Sequence, residues 1–215
     1  ECRDGVWAIA HNGNLTNAAQ LRARWQAGGA IFQTGTDSEI VLHMLAHPRY
    51  ARRTSSLLAA LRDLRGAFSL LLLHGDELIA VRDRHGFRPL CLGRLDSAFV
   101  IASETCALRQ VGAEFVRELE PGEVLRFRNG RMTRERFAPV RARAGQCVFE
   151  HIYFARPDSW LFGESVHEVR VRLGRRLARE HPATADVVIP IPDSGVSAAI
   201  GFAREAGLPL DFGFI

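Results

Sequence analysis

In the first third of the chain apolar residues recur at helical spacing; in the middle third they fall into short runs and alternations of strand type. Val6 to Ala10 reads as a strand feeding Asn12-Gly13. That dipeptide predicts a tight turn, because Gly accepts positive φ and Asn tolerates it. Residues 17–27 predict a helix with Ala18, Leu21 and Trp25 on one face. Thr36 and Glu39 have capping-box spacing ahead of Ile40, Leu42 and Leu45, so a second helix is expected near Thr36, with Asp37 left free of the caps. A third covers about 55–65, where the stripe of Leu57, Leu58, Leu61 and Leu64 ends at Gly66.

From Ala67 the pattern changes to strands. Ala67–Leu73 and Leu78–Val81 flank a hairpin connection, His74-Gly75-Asp76-Glu77. Further strands are expected at about 89–93, 98–102, 114–119, 123–128 and 131–137, with turns at Pro121-Gly122 and Asn129-Gly130. Helices followed by antiparallel strands argue an α+β fold. Residues 138–146 read as a linker, which divides the chain into expected domains 1–140 and 141–215. Beyond it the grammar is α/β. A helix at 165–181 is expected to turn Val166, Val169, Leu173 and Leu177 inward and its arginines outward. Asp186–Pro192 reads as a buried strand, Ser194–Ala206 as a helix closed by Gly207, and Pro209 as the start of another strand.

With 47% hydrophobic and 24% charged residues over 215 positions, the composition is that of an ordinary globular sequence. No apolar run approaches a membrane span, so no membrane partner is expected. Cys2, Cys91, Cys106 and Cys147 show no zinc-type or redox-type pairing, which favours a reduced, cytoplasmic setting. The net charge of +4 raises nucleic-acid binding as an idea. Every basic residue, however, is arginine; the uniform use suggests compositional bias, and the arginines are scattered without interleaved aromatics. No nucleic-acid partner is expected.

Residues 8–17, Ala-Ile-Ala-His-Asn-Gly-Asn-Leu-Thr-Asn, are more polar than a bare hairpin requires. A second element, Gly-Thr-Asp-Ser-Glu, follows at 35–39, and Cys-Val-Phe-Glu-His-Ile-Tyr-Phe-Ala-Arg-Pro-Asp-Ser occupies 147–159. Together, in order and with matched spacing, these resemble class II glutamine amidotransferases of the N-terminal-nucleophile type, and within them the amidophosphoribosyltransferase family. Segment 147–159 carries the narrower resemblance, because other class II amidotransferases share the glutaminase domain and not this stretch.

The resemblance implies an αββα glutaminase sandwich, incomplete here, followed by the start of an α/β type I phosphoribosyltransferase domain. It implies glutamine and phosphoribosyl pyrophosphate as substrates, 5-phosphoribosylamine as product in the first step of purine synthesis, and a homotetramer. Asn12 and Gly13 would form the oxyanion hole, against the plain reading of a type I′ turn. Asp37 would hold the glutamine amino group, against a helix-dipole role. Ser194 would contribute to a Mg²⁺ site, against a simple N-cap. Cys147 is a candidate ligand of a [4Fe–4S] cluster, against a small core residue. The segments 82–90, 102–105 and 120–123 match the glutaminase domain and are given structural roles, the first as a solvated loop or a salt-bridged corner. The family's nucleophilic cysteine stands at the mature N-terminus, usually before Gly. Cys2 precedes Arg3 and lies nine residues from His11, so the chain is expected to be an internal fragment that lacks the nucleophile and is itself inactive. The rivals are an amidotransferase with another acceptor domain and a catalytically dead binding module.

Overall fold

The computed structural model describes residues 5–51, 56–139 and 145–214. Cys2 and most of the expected linker lie outside them. The chain divides into two compact units, one of residues 1–103 and 113–146, the other of 104–112 and 147–215.

The first unit is a sheet-rich α+β structure. Strands β1 (Trp7–Leu15), β2 (Gly66–His74), β3 (Glu77–Arg82), β7 (Glu123–Arg128) and β8 (Arg131–Arg136) form one antiparallel sheet in the order β1-β2-β3-β7-β8. Strands β4 (Cys91–Leu95), β5 (Ala98–Ala102) and β6 (Glu114–Glu118) form a second, in the order β5-β4-β6. Helices α1 (Ala18–Ala27), α2 (Glu39–Ala46), α3 (Pro48–Ala51) and α4 (Ser56–Asp63) cover the outer face of the larger sheet.

Alternation along the central strands builds both interfaces. Phe68, Leu70, Leu72, Ile79, Val81 and Val124 meet Leu21, Trp25, Ile40, Met44 and Leu61 of the helices. The intervening Leu71, Leu78, Ala80, Leu125 and Phe127 meet Leu90, Leu92, Phe99, Ile101 and Leu119 of the smaller sheet. The layers are therefore helix, sheet, sheet. A second helical layer is absent among the described residues of this unit.

Two expectations fail here. Asn12-Gly13 makes no turn: β1 runs straight through it, with Asn12 opposite Ser69 and Gly13 opposite Phe68. The nine-residue pairing with β2 outweighs the turn preference of the dipeptide. The capping box also does not form. Ser38 is the N-cap of α2 without a side-chain cap bond, and the Glu39 carboxylate instead accepts from Gln33 N and Thr34 N at 2.6 and 2.8 Å.

The charged corner after β3 is not a solvated loop, for Arg82 and Asp83 are both buried. Asp83 accepts backbone N–H bonds from Phe68, His85 and Phe87. Burial pushes its carboxyl above the usual range despite those donors. Arg82 spans the corner, donating to the carbonyls of Gly86 and Arg88 and to Glu118.

In the second unit, α5 (Thr105–Gln110) and a π-helical turn at Glu150–Phe154 were not anticipated from the pattern. The short strands β9 (Trp160–Leu161) and β10 (Glu164–Ser165) pair as a hairpin across Phe162 and Gly163, both at positive φ. Helix α6 (Val166–Glu180) packs against α7 (Gly195–Ala206), but on a different face from the one expected. Its buried residues are Val166, Arg170, Val171, Gly174 and Ala178, while Leu173 and Leu177 are exposed. Glycines decide the phase. A Cβ on Gly174 would stand 1.9 Å from the Ala198 carbonyl oxygen, and one on Gly201 would stand 2.0 Å from that of Val171. Arg170 is buried because its guanidinium donates to the carbonyls of His151 and Ala155 below the π-helical turn. Residues 186–192 form no buried strand; Val188 makes one parallel bridge to Leu210, and Val187, Ile189 and Ile191 are exposed.

Candidate active site

Strand β1 is an edge strand, with β2 on one side and no strand on the other among the described residues. Backbone direction along it follows from two bonds. Thr16 N donates to Arg65 O, toward the β2 side, whereas Leu15 N donates to Asp37 Oδ2 at 2.8 Å, away from it. Gly13 shares the parity of Leu15, so its N–H also faces the open edge. Phe68, opposite Gly13, agrees: its N–H and carbonyl both turn to Asp83. Such a non-hydrogen-bonded pair brings the two strands close. A Cβ at Gly13, whose φ is +148°, would stand 2.0 Å from the Ala67 carbonyl oxygen. Glycine is required here by the approach of β2, and the result is an uncapped amide donor on an exposed edge.

The two side chains just before that donor lie on opposite faces of the strand. Asn12 reaches the smaller sheet's side, where its Nδ2 donates to Ser103 Oγ at 3.3 Å, just past β5. His11 is buried on the helical side, and its Nδ1 lies 3.2 Å from Asp37 Oδ1. The loop before α2 carries Asp37 to the β1 edge, two residues along from Gly13. Both Asp37 oxygens are engaged by β1 and not by the helix caps, although a carboxylate offers further lone pairs. The His11 Nε2 is buried and without a partner among the described residues.

Glu39 stiffens the loop that delivers Asp37. Burial would raise its carboxyl, but the N–H of Gln33, the hydroxyl and N–H of Thr34, and His43 overcome that and hold it down at about 2. The edge thus presents an amide N–H, a side-chain amide and a carboxylate within a few residues. Such a set can hold an ammonium group and stabilise an oxyanion.

The family model described as a glutamine amidotransferase domain matches residues 2–110, about half the chain. The chain belongs to the glutamine amidotransferase family. Among curated relatives of this glutamine amidotransferase chain, the amidophosphoribosyltransferase of Methanocaldococcus jannaschii is 45% identical over 98% of the chain and 48% of the relative. That of Mycobacterium bovis is 48% identical over 97% of the chain and 40% of the relative. The solved glutamine phosphoribosylpyrophosphate amidotransferase of Bacillus subtilis, complexed with ADP and GMP, superposes with a TM-score of 0.90. It is 41% identical and is covered over 47% of its length. The chain spans about half the length of the relatives it matches.

The structure brings Asn12, Gly13 and Asp37 to one strand edge. It adds His11, for which sequence reasoning had no role although its parity along β1 was an available signal, and Ser103, expected only as part of a structural segment. Ser194 and Cys147 belong to the second unit. Ser194 occupies the N-cap position of α7 but makes no side-chain cap bond. Cys147 is half-buried, so it is not a core residue, and its carbonyl accepts from Glu150 N.

Neither implied metal group finds a full ligand set here. No group of three His, Cys, Asp or Glu side chains able to hold a metal occurs among the described residues. Cys91 Sγ is committed to the Ala102 carbonyl, and Cys106 Sγ lies 3.8 Å from Glu104. A [4Fe–4S] cluster takes four thiolates, of which Cys147 would supply one. The Ser194 hydroxyl beside Asp193 does fit Mg²⁺, which is commonly held by one or two protein oxygens plus phosphate and water. Among the described residues no helix is long and apolar enough to cross a membrane.

Proposed function

We propose that the open edge of β1 is the oxyanion and substrate-amine side of a glutaminase site, and that the protein works as an amidophosphoribosyltransferase. A cysteine thiolate attacks the glutamine side-chain amide; ammonia leaves and a thioester forms, which water then cleaves to glutamate. The Asn12 Nδ2 and the Gly13 N–H stabilise the tetrahedral oxyanion, and Asp37 holds the α-ammonium with His11 fixing its carboxylate. Ammonia then displaces pyrophosphate from phosphoribosyl pyrophosphate and gives 5-phosphoribosylamine, with the region from Cys147 onward opening the phosphoribosyltransferase part. Mg²⁺ held in part by Ser194 would neutralise the departing pyrophosphate. Cytoplasmic location and a homotetramer complete the reading.

The observation that carries it is the Gly13 N–H, left facing the open edge two residues from the Asp37 carboxylate. The test is Asn12→Ala and Asp37→Ala in the full-length enzyme. The first should lower glutaminase kcat by roughly 10²–10³, the usual cost of an oxyanion donor. The second should raise glutamine KM while ammonia-dependent synthesis is spared. Equal loss of both activities in the Asp37 variant would remove it from the glutamine pocket.

A further inference from the structure

A cleft of about 250 Å³ opens in the first unit among α1, α3 and the end of α4, away from the β1 edge residues just described. Its lining includes Arg24, Arg49, Arg62 and Arg65 with a single carboxylate, Asp63. Many of the other described arginines meet acids: Arg117 with Glu123, Arg126 with Glu77 and Glu135, Arg179 with Glu205. None of the four around the cleft has a carboxylate ion-pair partner among the described residues. One oxygen of the Asp63 carboxylate accepts the buried Tyr50 hydroxyl at 2.5 Å. Burial first, and Asp63 second, push that phenol up to about 12, so it stays a donor.

The walls are fixed independently of any ligand. Asn17 Nδ2 donates to Asp63 O and its Oδ1 accepts from Arg65 N, which pins the end of α4 to the start of α1. Arg62 Nε donates to the Phe137 carbonyl. Arg24 and Arg49 lie over the rings of Trp25 and Tyr50, at 5.5 and 5.8 Å from their centroids. Four exposed guanidiniums held around one concavity repel one another, and an anion in the cleft relieves that repulsion.

We propose that this cleft binds the phosphate or diphosphate group of a small phosphorylated metabolite. Guanidinium forks match phosphate oxygens in pairs, and this many cationic heads exceeds what one carboxylate can use. The volume lies under the roughly 300–1,000 Å³ of pockets that enclose whole drug-sized ligands, so the charged head is held and the remainder stays outside. A nucleic acid is disfavoured, because the lining has Leu21 as its apolar residue and no aromatic platform.

The test is calorimetric titration of the chain with inorganic diphosphate, in EDTA and at fixed ionic strength. EDTA separates this site from the Mg²⁺-assisted diphosphate site proposed around Ser194. Saturable binding is expected, stronger for diphosphate than for monophosphate, with Trp25 fluorescence changing as Arg24 leaves its ring. Arg24→Gln and Arg49→Gln should each weaken binding about tenfold, the loss of a charge-assisted hydrogen bond. Ser194→Ala should leave it unchanged. Both arginines are exposed, so unchanged melting of the variants checks that they fold. Absent binding, binding indifferent to both arginine changes, or binding lost with Ser194→Ala would each overturn the proposal, and none would touch the glutaminase reading.

Discussion

Strand β1 and the stretch from Val187 to Ser194 both carry candidate site residues, and they are held in opposite ways. Asn12 and Gly13 sit in a nine-residue strand paired along its whole length, with Asp37 locked on by Leu15 N and His11. Val187–Ile191 has one bridge, exposed apolar side chains, and a following serine whose hydroxyl makes no cap bond. The first arrangement is preorganised before any substrate arrives; catalysis of oxyanion type depends on that. The second leaves the Ser194 hydroxyl without a cap bond, to be ordered by what binds.

The largest effect should come from Gly13→Ala. The new methyl meets a backbone carbonyl that cannot rotate away, so β1 must part from β2, at a cost of about 3 kcal/mol or more. Urea unfolding of the first unit reads this directly. A loss under about 1 kcal/mol would mean that the edge is compliant and the contrast with residues 187–194 is false.

Next is Gly174→Ala, which places a methyl against Ala198 between α6 and α7. Alanine gains about 1 kcal/mol in helix preference but overpacks the contact by more, for a net loss of about 2 kcal/mol. Hydrogen exchange should report it in α6 and α7 and leave β1 and β2 protected.

A third effect is set by pH. The folded chain holds the Glu39 carboxyl near 2 against an ordinary 4.5, so the unfolded chain takes up the proton first as pH falls. The contribution of Glu39 is complete above about 4.5 and fades toward 2. Glu39→Gln should flatten the decline in protection of the Gln33 and Thr34 amides between about pH 4.5 and 2. An unchanged slope would assign the acid sensitivity to other carboxylates.

Much of this was legible in the sequence. The leucine stripe of α4, the hairpin across Gly75-Asp76 and the strands from β4 to β8 follow from periodicity and turn residues. Failures came where a distant segment outweighed local preference. Asn12-Gly13 has the wording of a turn, and only the pairing of β2 keeps it extended. Leu173 and Leu177 make a plausible inward stripe, yet backbone contact through Gly174 and Gly201 selects another face. Arg82 and Asp83 look like surface residues until the carbonyls and amides that they satisfy are in view. The roles of His11 and Ser103 depend on which face of β1 each side chain or partner meets, and a sequence does not print that.

The smallest effect should be that of Ser194→Ala. Ser165, the N-cap of α6, accepts from Glu168 N, and Ser165→Ala should cost about 1 kcal/mol. Ser194 makes no such bond, so its replacement should cost under about 0.5 kcal/mol. If the Mg²⁺ reading is right, the same change raises the Mg²⁺ midpoint of ammonia-dependent synthesis in the full-length enzyme. An unaltered midpoint would remove Ser194 from the metal site.

The open edge of β1 also bears on self-association. A bare row of strand amides is a template for another chain, and sheets usually guard such rows with charge. At the far edge β8 does so with arginines and a glutamate along its length. On β1 the guard is Asp37, whose carboxylate occupies the Leu15 amide and sets a negative charge where an incoming strand would have to lie. Replacing Asp37 would therefore do more than vacate a pocket: it would uncover a sticky border, and variants at this position should be examined for aggregation before any loss of turnover is ascribed to chemistry.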